Sequence, residues 1–212
     1  MEIAQHDTEL QKGKREINKE KAKKRLLKEA FLLFTIRGYE QTTVADIVSA
    51  CEIGRGTFYN YYPDVKAIFS AVIEDVNFQI QTVIKESRKD AHGIYEFLYL
   101  SFKSYFDFVS TKEISAFFKA NQAYIRDATY ASNSIQQMIS DIHDDFKAHK
   151  VIGDFKEDYE FQLLSVMLIG APSELFLNMH FSERNISTDE MAEFLAKMFT
   201  KILWNKEPQE AE

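Results

Sequence analysis

The chain has 212 residues, 45% hydrophobic and 28% charged, with 7 Gly, 3 Pro, one Cys and a formal net charge of −7. That length holds one large domain or two small ones with a real core, and the scarcity of Gly and Pro excludes a low-complexity chain. Cys51 alone excludes an internal disulfide framework, the N-terminus is polar, and the longest apolar run, Leu163 to Pro172, is too short for a membrane span; a cytoplasmic, almost all-α protein is expected.

The charge is unevenly divided. Residues 1–66 carry 12 basic and 10 acidic side chains, a balance of +2, whereas the remainder carries 14 and 23, a balance of −9. Residues 12–37 alone hold ten basic side chains against three acidic ones. A basic segment on an acidic body is the footprint of a protein that meets phosphate on one face.

Residues 1–16 lack apolar periodicity and are expected to be flexible. From about Ile17 to Arg37 the pattern is one helix: Leu26, Leu27, Ala30, Leu33 and Phe34 recur at helical spacing, and Gly38 suits the position after its end. Lys19, Lys21, Lys23, Lys24, Arg25 and Lys28 crowd its first half, where acids are few. Thr42 or Thr43 caps a second segment whose apolar face is Ala45, Ile47 and Val48. Cys51 to Gly54 is a four-residue break, with the glycine expected where the backbone turns. Arg55 to Tyr62 then makes about two helical turns, stopped by Pro63. Phe58 and Tyr62 share one face of it, and Arg55, Gly56, Thr57, Tyr59, Asn60 and Tyr61 cover the rest without an acid. Two helices joined by a tight turn, the second presenting donors and rings, form a helix-turn-helix that can enter the DNA major groove. There Arg55 can read guanine, Asn60 can read adenine, and Gly56 allows close approach. Thr42 and Thr43, at a helix N-terminus, can meet phosphate.

Leu26-Leu27, Leu33-Phe34, Gly38-Tyr39, Thr42-Thr43-Val44, Ile47 and Gly56-Thr57-Phe58-Tyr59-x-Tyr61-Tyr62 resemble the N-terminal signature of the TetR family of bacterial transcriptional regulators. The resemblance covers about residues 18 to 70. It implies that Thr43, Thr57, Tyr59 and Tyr61 touch the DNA backbone and that Arg55, Gly56 and Asn60 face base edges. The sequence departs from the family pattern twice: Gly54 stands where a capping Ser is usual, and Val65 where a Lys commonly reaches phosphate, leaving Lys66 as a substitute. The resemblance further implies a homodimer on a palindromic operator and a body that binds a small molecule.

Asp64 is a good N-cap for a helix to about Arg88 through Ile68, Phe69, Val72, Ile73, Val76 and Ile80; in the family this helix is the lever. The resulting division is a DNA-binding domain over residues 1–66 and a helical ligand-binding and dimerisation domain over residues 67–212. In the body, His92-Gly93 breaks the chain before a helix at Ile94–Val109, a short piece follows at Ile114–Ala120, and a long helix is expected from Asn121 to Ala148. After a turn at Gly153–Glu157, helices are expected at Tyr159–Phe181 and Asp189–Asn205, with Ser187 and Glu190 forming a capping box for the last.

The last helix carries a full apolar stripe, and its predecessor is apolar nearly all round. Pairing both with their copies gives a four-helix dimer interface, with Leu168, Leu175, Leu195, Met198, Phe199 and Ile202 expected in it. The aromatic set Tyr95, Phe102, Tyr105, Phe106, Phe117, Phe118, Tyr124 and Phe176, with Met167 and Met179, is the expected wall of a pocket for a hydrophobic or amphipathic effector. Asn121, Glu174 and Asn178 are its expected polar contacts, and Gly170 and Pro172 are expected to break a buried helix and leave room. None of His6, His92, His143, His149 and His180 stands in a metal-site spacing and Cys51 has no activating neighbour, so no enzyme activity, metal or cofactor is expected. The reading is a ligand-released DNA-binding repressor; the rival is a protein of the same fold that sequesters apolar ligands without reading DNA.

Overall fold

The computed structural model describes residues 2–149, 155, 157–180 and 186–203, with side chains described at 16, 18–144, 155, 157–178 and 186–203. Among these residues the chain is helical, without strands: α1 Glu2–Arg37, α2 Val44–Ala50, α3 Arg55–Tyr59, α4 Val65–Ser87, α5 Gly93–Val109, α6 Lys112–Ala120, α7 Gln122–Tyr130, α8 Asn133–His149, α9 Asp158–Leu175 with a π turn at Phe176–His180, and α10 Thr188–Leu203. The chain falls into two compact units, Met1–Val72 and Ile73–Glu212.

In the first unit, Leu26, Ala30 and Phe34 of α1, Ile47 and Val48 of α2, Cys51, Phe58 and Tyr62 are buried together with Ile68, Phe69 and Val72. Phe34 meets Phe69 edge-on at 5.1 Å and Tyr39 lies 4.7 Å from Phe69. Gly38 ends α1 with φ 78 and its N–H on the Phe34 carbonyl at 3.1 Å, the left-handed stop that glycine adopts most cheaply. α1 begins at Glu2 rather than near Ile17. α2 starts from Thr43, which forms a capping box with Asp46. Ala45, expected on the buried face, is exposed. In the turn after α2 the left-handed residue is Glu52 (φ 52), whereas Gly54 has φ −76 and stands as the cap of α3 without a side chain to bond. α3 starts at Arg55 as expected but ends at Tyr59, about one turn short of its sequence pattern, with Asn60 as its C-cap.

In the second unit α5 is the central helix and α10 packs along it. Phe102 and Phe199 stand 5.8 Å apart across that contact, and Met191, Ala192, Leu195, Ala196, Phe199 and Leu203 form the buried face of α10. Ser187 and Glu190 make the predicted capping box, the Ser187 hydroxyl donating to the carboxylate at 2.7 Å. The expected helix from Asn121 to Ala148 is two helices. Ser132 ends the first segment: its hydroxyl accepts from the Ile135 N–H at 3.3 Å, capping α8, and from the Asn77 amide at 2.9 Å, tying that start to α4. Nor do Gly170 and Pro172 break α9, which runs through both. A Cβ at Gly170 would lie 2.8 Å from the Tyr130 hydroxyl, so the glycine serves the close approach of α7. Asp158–Asn178 is apolar and long enough to cross a membrane by length and composition, unlike the shorter run weighed from sequence, with 28% of its window buried. Most of the predicted turn at Gly153–Glu157, the helix ends at Phe181 and Asn205, and the side chains of His6, His149, Met179 and His180 lie outside the described residues.

Candidate nucleic-acid surface and ligand cavity

α3 is anchored by one residue. Phe58 is fully buried, while Arg55, Gly56, Thr57, Tyr59 and Asn60 are all exposed, and Tyr61 is half-buried. The Phe58 ring holds Tyr59 edge-on at 5.5 Å, which fixes an exposed aromatic in place. A methyl group at Gly56 would meet nothing within 4 Å, so no contact inside the chain requires a glycine there. Lys66 is exposed just past Asp64, which caps α4 through the Ala67 N–H at 2.7 Å. On α1, Lys19, Lys21, Lys23, Lys24, Arg25 and Lys28 are exposed, and Arg25 pairs with Glu52 at 3.3 Å.

The two threonines have another use. Thr42 is buried and donates its hydroxyl to the Gly38 carbonyl at 2.7 Å, which removes it from the surface. Thr43 is exposed, but its hydroxyl donates to Asp46 at 2.6 Å and accepts from the Asp46 N–H at 3.3 Å. Asp46 also pairs with Arg37 at 2.9 Å; the Thr43 hydrogen bonds first, and then Arg37, hold its carboxyl below the ordinary carboxylate range. The start of α2, where phosphate was expected, already carries a carboxylate.

The second unit holds a half-open cavity of about 880 Å³ lined by α4, α5 and α6 to α10. Its walls are apolar: Ile80, Ile84, Ile94, Leu98, Ile135, Met138 and Ile142 among others. The polar lining groups are Asn77, Arg88, Ser101, Tyr105, Thr129 and Ser173. Asn77 donates to Ser132, and Tyr105 shares a hydrogen bond with Ser173. Burial pushes the Tyr105 phenol up, so it stays neutral. Arg88 lies over the Phe97 ring with its Cζ at 4.4 Å and donates to the Ser101 hydroxyl at 3.5 Å.

Of the nine expected ligand residues, Phe102 and Tyr105 line this cavity. Phe106 and Phe117 are instead fully buried in the core. Tyr95 is exposed and stacks on Tyr99 at 6.2 Å. Asn121 is buried and donates to the Phe117 carbonyl at 2.7 Å, closing the turn between α6 and α7. Tyr124 is half-buried away from the lining, Glu174 pairs with Arg126 at 3.3 Å, and the exposed Asn178 donates to the Glu174 carbonyl. Arg88 and Asn77 were missed; an Asn amid the buried stripe of α4 was the available signal for the second, whereas Arg88, among Lys85, Glu86, Lys89 and Asp90, offered none.

The expected dimer residues also divide. Leu195 and Phe199 are spent on α5, and Leu168 lines the cavity; Leu175, Met198 and Ile202 are half-buried. Among the large apolar side chains left exposed in the second unit, Tyr159, Leu163, Val166 and Met167 lie on one face of α9 and Phe194 on α10, while Phe78, Tyr95, Phe97 and Ile186 are exposed elsewhere.

The chain thus carries an N-terminal helix-turn-helix unit and a helical unit that holds an apolar pocket. The sequence pattern of the family described as "Bacterial regulatory proteins, tetR family" matches residues 26–72. The HTH-type transcriptional repressor DhaR of Mycobacterium sp. strain GP1 is 30% identical over 66 residues, 31% of this chain and about a third, 33%, of that repressor. Across most of the chain the fold is similar to two solved structures. One is the fatty acid degradation regulator FadR from Bacillus halodurans, with 12% identity, a TM-score of 0.65, and coverage of 84% of this chain and 93% of that one. The other is a TetR-family transcriptional regulator from Pectobacterium atrosepticum, with 18% identity, a TM-score of 0.65, and coverage of 90% and 97%. The family match is confined to the helix-turn-helix unit, and the chain spans about a third of the length of the repressor it matches.

Proposed function

We propose that the protein is a cytoplasmic, homodimeric repressor that binds a palindromic DNA operator and is released by a hydrophobic or amphipathic small molecule. The observation that carries this reading is the outward face of α3. It presents Arg55, Thr57, Tyr59 and Asn60 to solvent around a glycine that nothing in the chain requires. Exposed rings and an open glycine cost stability, and they are useful to a surface that another molecule must approach closely. In the major groove Arg55 donates to guanine and Asn60 bonds adenine, while Thr57, Tyr59, Tyr61 and Lys66 fix the register on phosphates. The exposed lysines of α1 add sequence-independent attraction, about 0.9 in the salt slope for each phosphate neutralised.

Two copies joined through Tyr159, Leu163, Val166 and Met167 of α9 and Phe194 of α10 would bury the apolar face that these two helices leave exposed. A two-fold dimer matches half-sites one helical turn apart, roughly 34–36 Å, or a multiple of it. α4 begins in the first unit at Val65 and supplies Asn77, Ile80 and Ile84 to the cavity lining. An effector that prefers one setting of α4 changes the separation of the two α3 helices. Taking a 1:99 population to 99:1 needs about 5.5 kcal/mol of preference.

Selection of random duplex DNA on the purified protein at near-physiological salt tests the reading. A palindrome should emerge, and an Arg55→Ala variant that remains dimeric should lose it. Salt-sensitive binding without sequence preference would remove the repressor and leave the apolar-ligand sequestering protein.

A further inference from the structure

The cavity is long in one direction. Its lining residues on α5 run from Gly93 to Tyr105, with Gly93, Phe97, Ser101 and Tyr105 recurring every fourth residue along one face. At about 1.5 Å per residue that stripe measures roughly 18 Å. Exposure falls along it: Gly93 is exposed and Phe97 is 37% exposed, whereas Leu98, Ser101 and Phe102 are buried. α4, which runs the opposite way across a short turn, shows the same gradient. Arg88 and Ile84 at that end are half-buried, and Ile80 and Asn77 further in are buried. The mouth of the cavity therefore lies at the start of α5 and its closed end near Tyr105. There Ser173 of α9 bonds Tyr105, and Phe118 of α6 packs edge-on, at 5.9 Å, against Phe176, one turn beyond Pro172. Among the described lining residues the charged one, Arg88, lies against Phe97 on the mouth side.

The two ends treat a ligand differently. A polar group at the mouth keeps its water and loses little. The same group at the closed end is stripped of water and meets Asn77 and Tyr105 already bonded to Ser132 and Ser173. Hydrocarbon gains along the whole length, because the walls between the ends are apolar. We infer that the effector is an elongate amphiphile, an unbranched apolar body lying along α5 with its far end near Tyr105 and one polar end left in water at the Gly93–Phe97 mouth. This rests on the reading of the cavity as the effector site. A C–C bond of about 1.5 Å advances an extended chain by about 1.3 Å, so about a dozen carbons fill the stripe.

Calorimetric titration of the full-length protein with 1-alkanols of six to fourteen carbons, each below its solubility limit, tests this. Affinity should rise about fourfold per methylene and level off near about twelve carbons. The diol 1,12-dodecanediol, which carries a second hydroxyl to the closed end, should bind at least about tenfold more weakly than 1-dodecanol. The branched isomer 2-butyl-1-octanol, with the same carbons in a shorter body, should also lose at least about tenfold. Ser173→Leu, which fills the closed end, should shorten the limit by about two carbons or more and leave 1-hexanol binding as in wild type; a folding defect would instead weaken every alkanol alike. A diol or a branched isomer that equals 1-dodecanol, or an affinity that climbs undiminished through fourteen carbons, overturns the elongate ligand while leaving the cavity as an effector site. Alkanols that show the expected limit but leave operator affinity unchanged support the ligand class and overturn the effector reading. Binding of no alkanol overturns both. The wild-type series decides the matter even if Ser173→Leu folds poorly.

Discussion

The outward face of α3 and the cavity of the second unit are opposite solutions to binding. α3 offers side chains that touch almost nothing: Phe58 alone is sunk into the core, and the positions around it are open to solvent. The cavity offers absence, about 880 Å³ of half-open space between helices that pack on one another. A surface of the first kind can change without unfolding the protein, because its energy is realised only on contact with a partner. A hole of the second kind is shaped by every helix around it, so function and stability are coupled there.

That contrast can be broken at several points. The largest effect belongs to the anchor. Phe58→Ala should cost about 3–5 kcal/mol and unfold the first unit, seen as loss of the cooperative thermal transition of that unit. Among the exposed neighbours, Arg55→Ala should leave the melting temperature unchanged and cost about 1–3 kcal/mol in operator binding, measured by anisotropy at fixed salt. In the cavity, Met138→Trp should fill space, weakening effector binding by more than about tenfold while sparing operator binding; equal effector affinity would show that the ligand lies elsewhere. The smallest effect is at the cap. Thr43→Ala should lower stability by about 1 kcal/mol near neutral pH. Since the folded Asp46 carboxyl is held below its ordinary value, its contribution is present above the unfolded carboxylate range and fades as pH falls through the folded value. The Thr43→Ala deficit, followed by thermal melts from neutral to acid pH, should therefore shrink in acid.

The same contrast explains what the sequence disclosed. The helix-turn-helix is local: the Gly38 stop and the pairing of Phe58 with Tyr62 each join residues close in sequence and were legible, while the cap was open between Thr42 and Thr43 until Thr43 was found paired with Asp46. Even there, the left-handed turn residue was Glu52 and not the glycine two positions on, which stands instead as the cap of α3. In the body, Phe102 and Phe106 lie one helical turn apart on α5, yet the first lines the cavity and the second is core. Residue type cannot separate them; only the placement of α6 to α10 does. The stripe on α10 likewise showed that the helix must pack without showing that α5 is what it packs against. The division of α7 from α8 could have been found, since Ser132-Asn133-Ser134 is a helix-start signal without a Gly or Pro to advertise it.

The claim on which the rest depends is that the open face of α3 meets DNA. Gly56 tests it most directly, because an added methyl group there touches nothing in the chain and should improve the helix by up to about 1 kcal/mol. The measurement is the melting temperature and operator affinity of Gly56→Ala beside wild type. The account predicts equal or higher thermal stability with operator binding weakened at least tenfold. A variant that is more stable and binds the operator as well as wild type would contradict it.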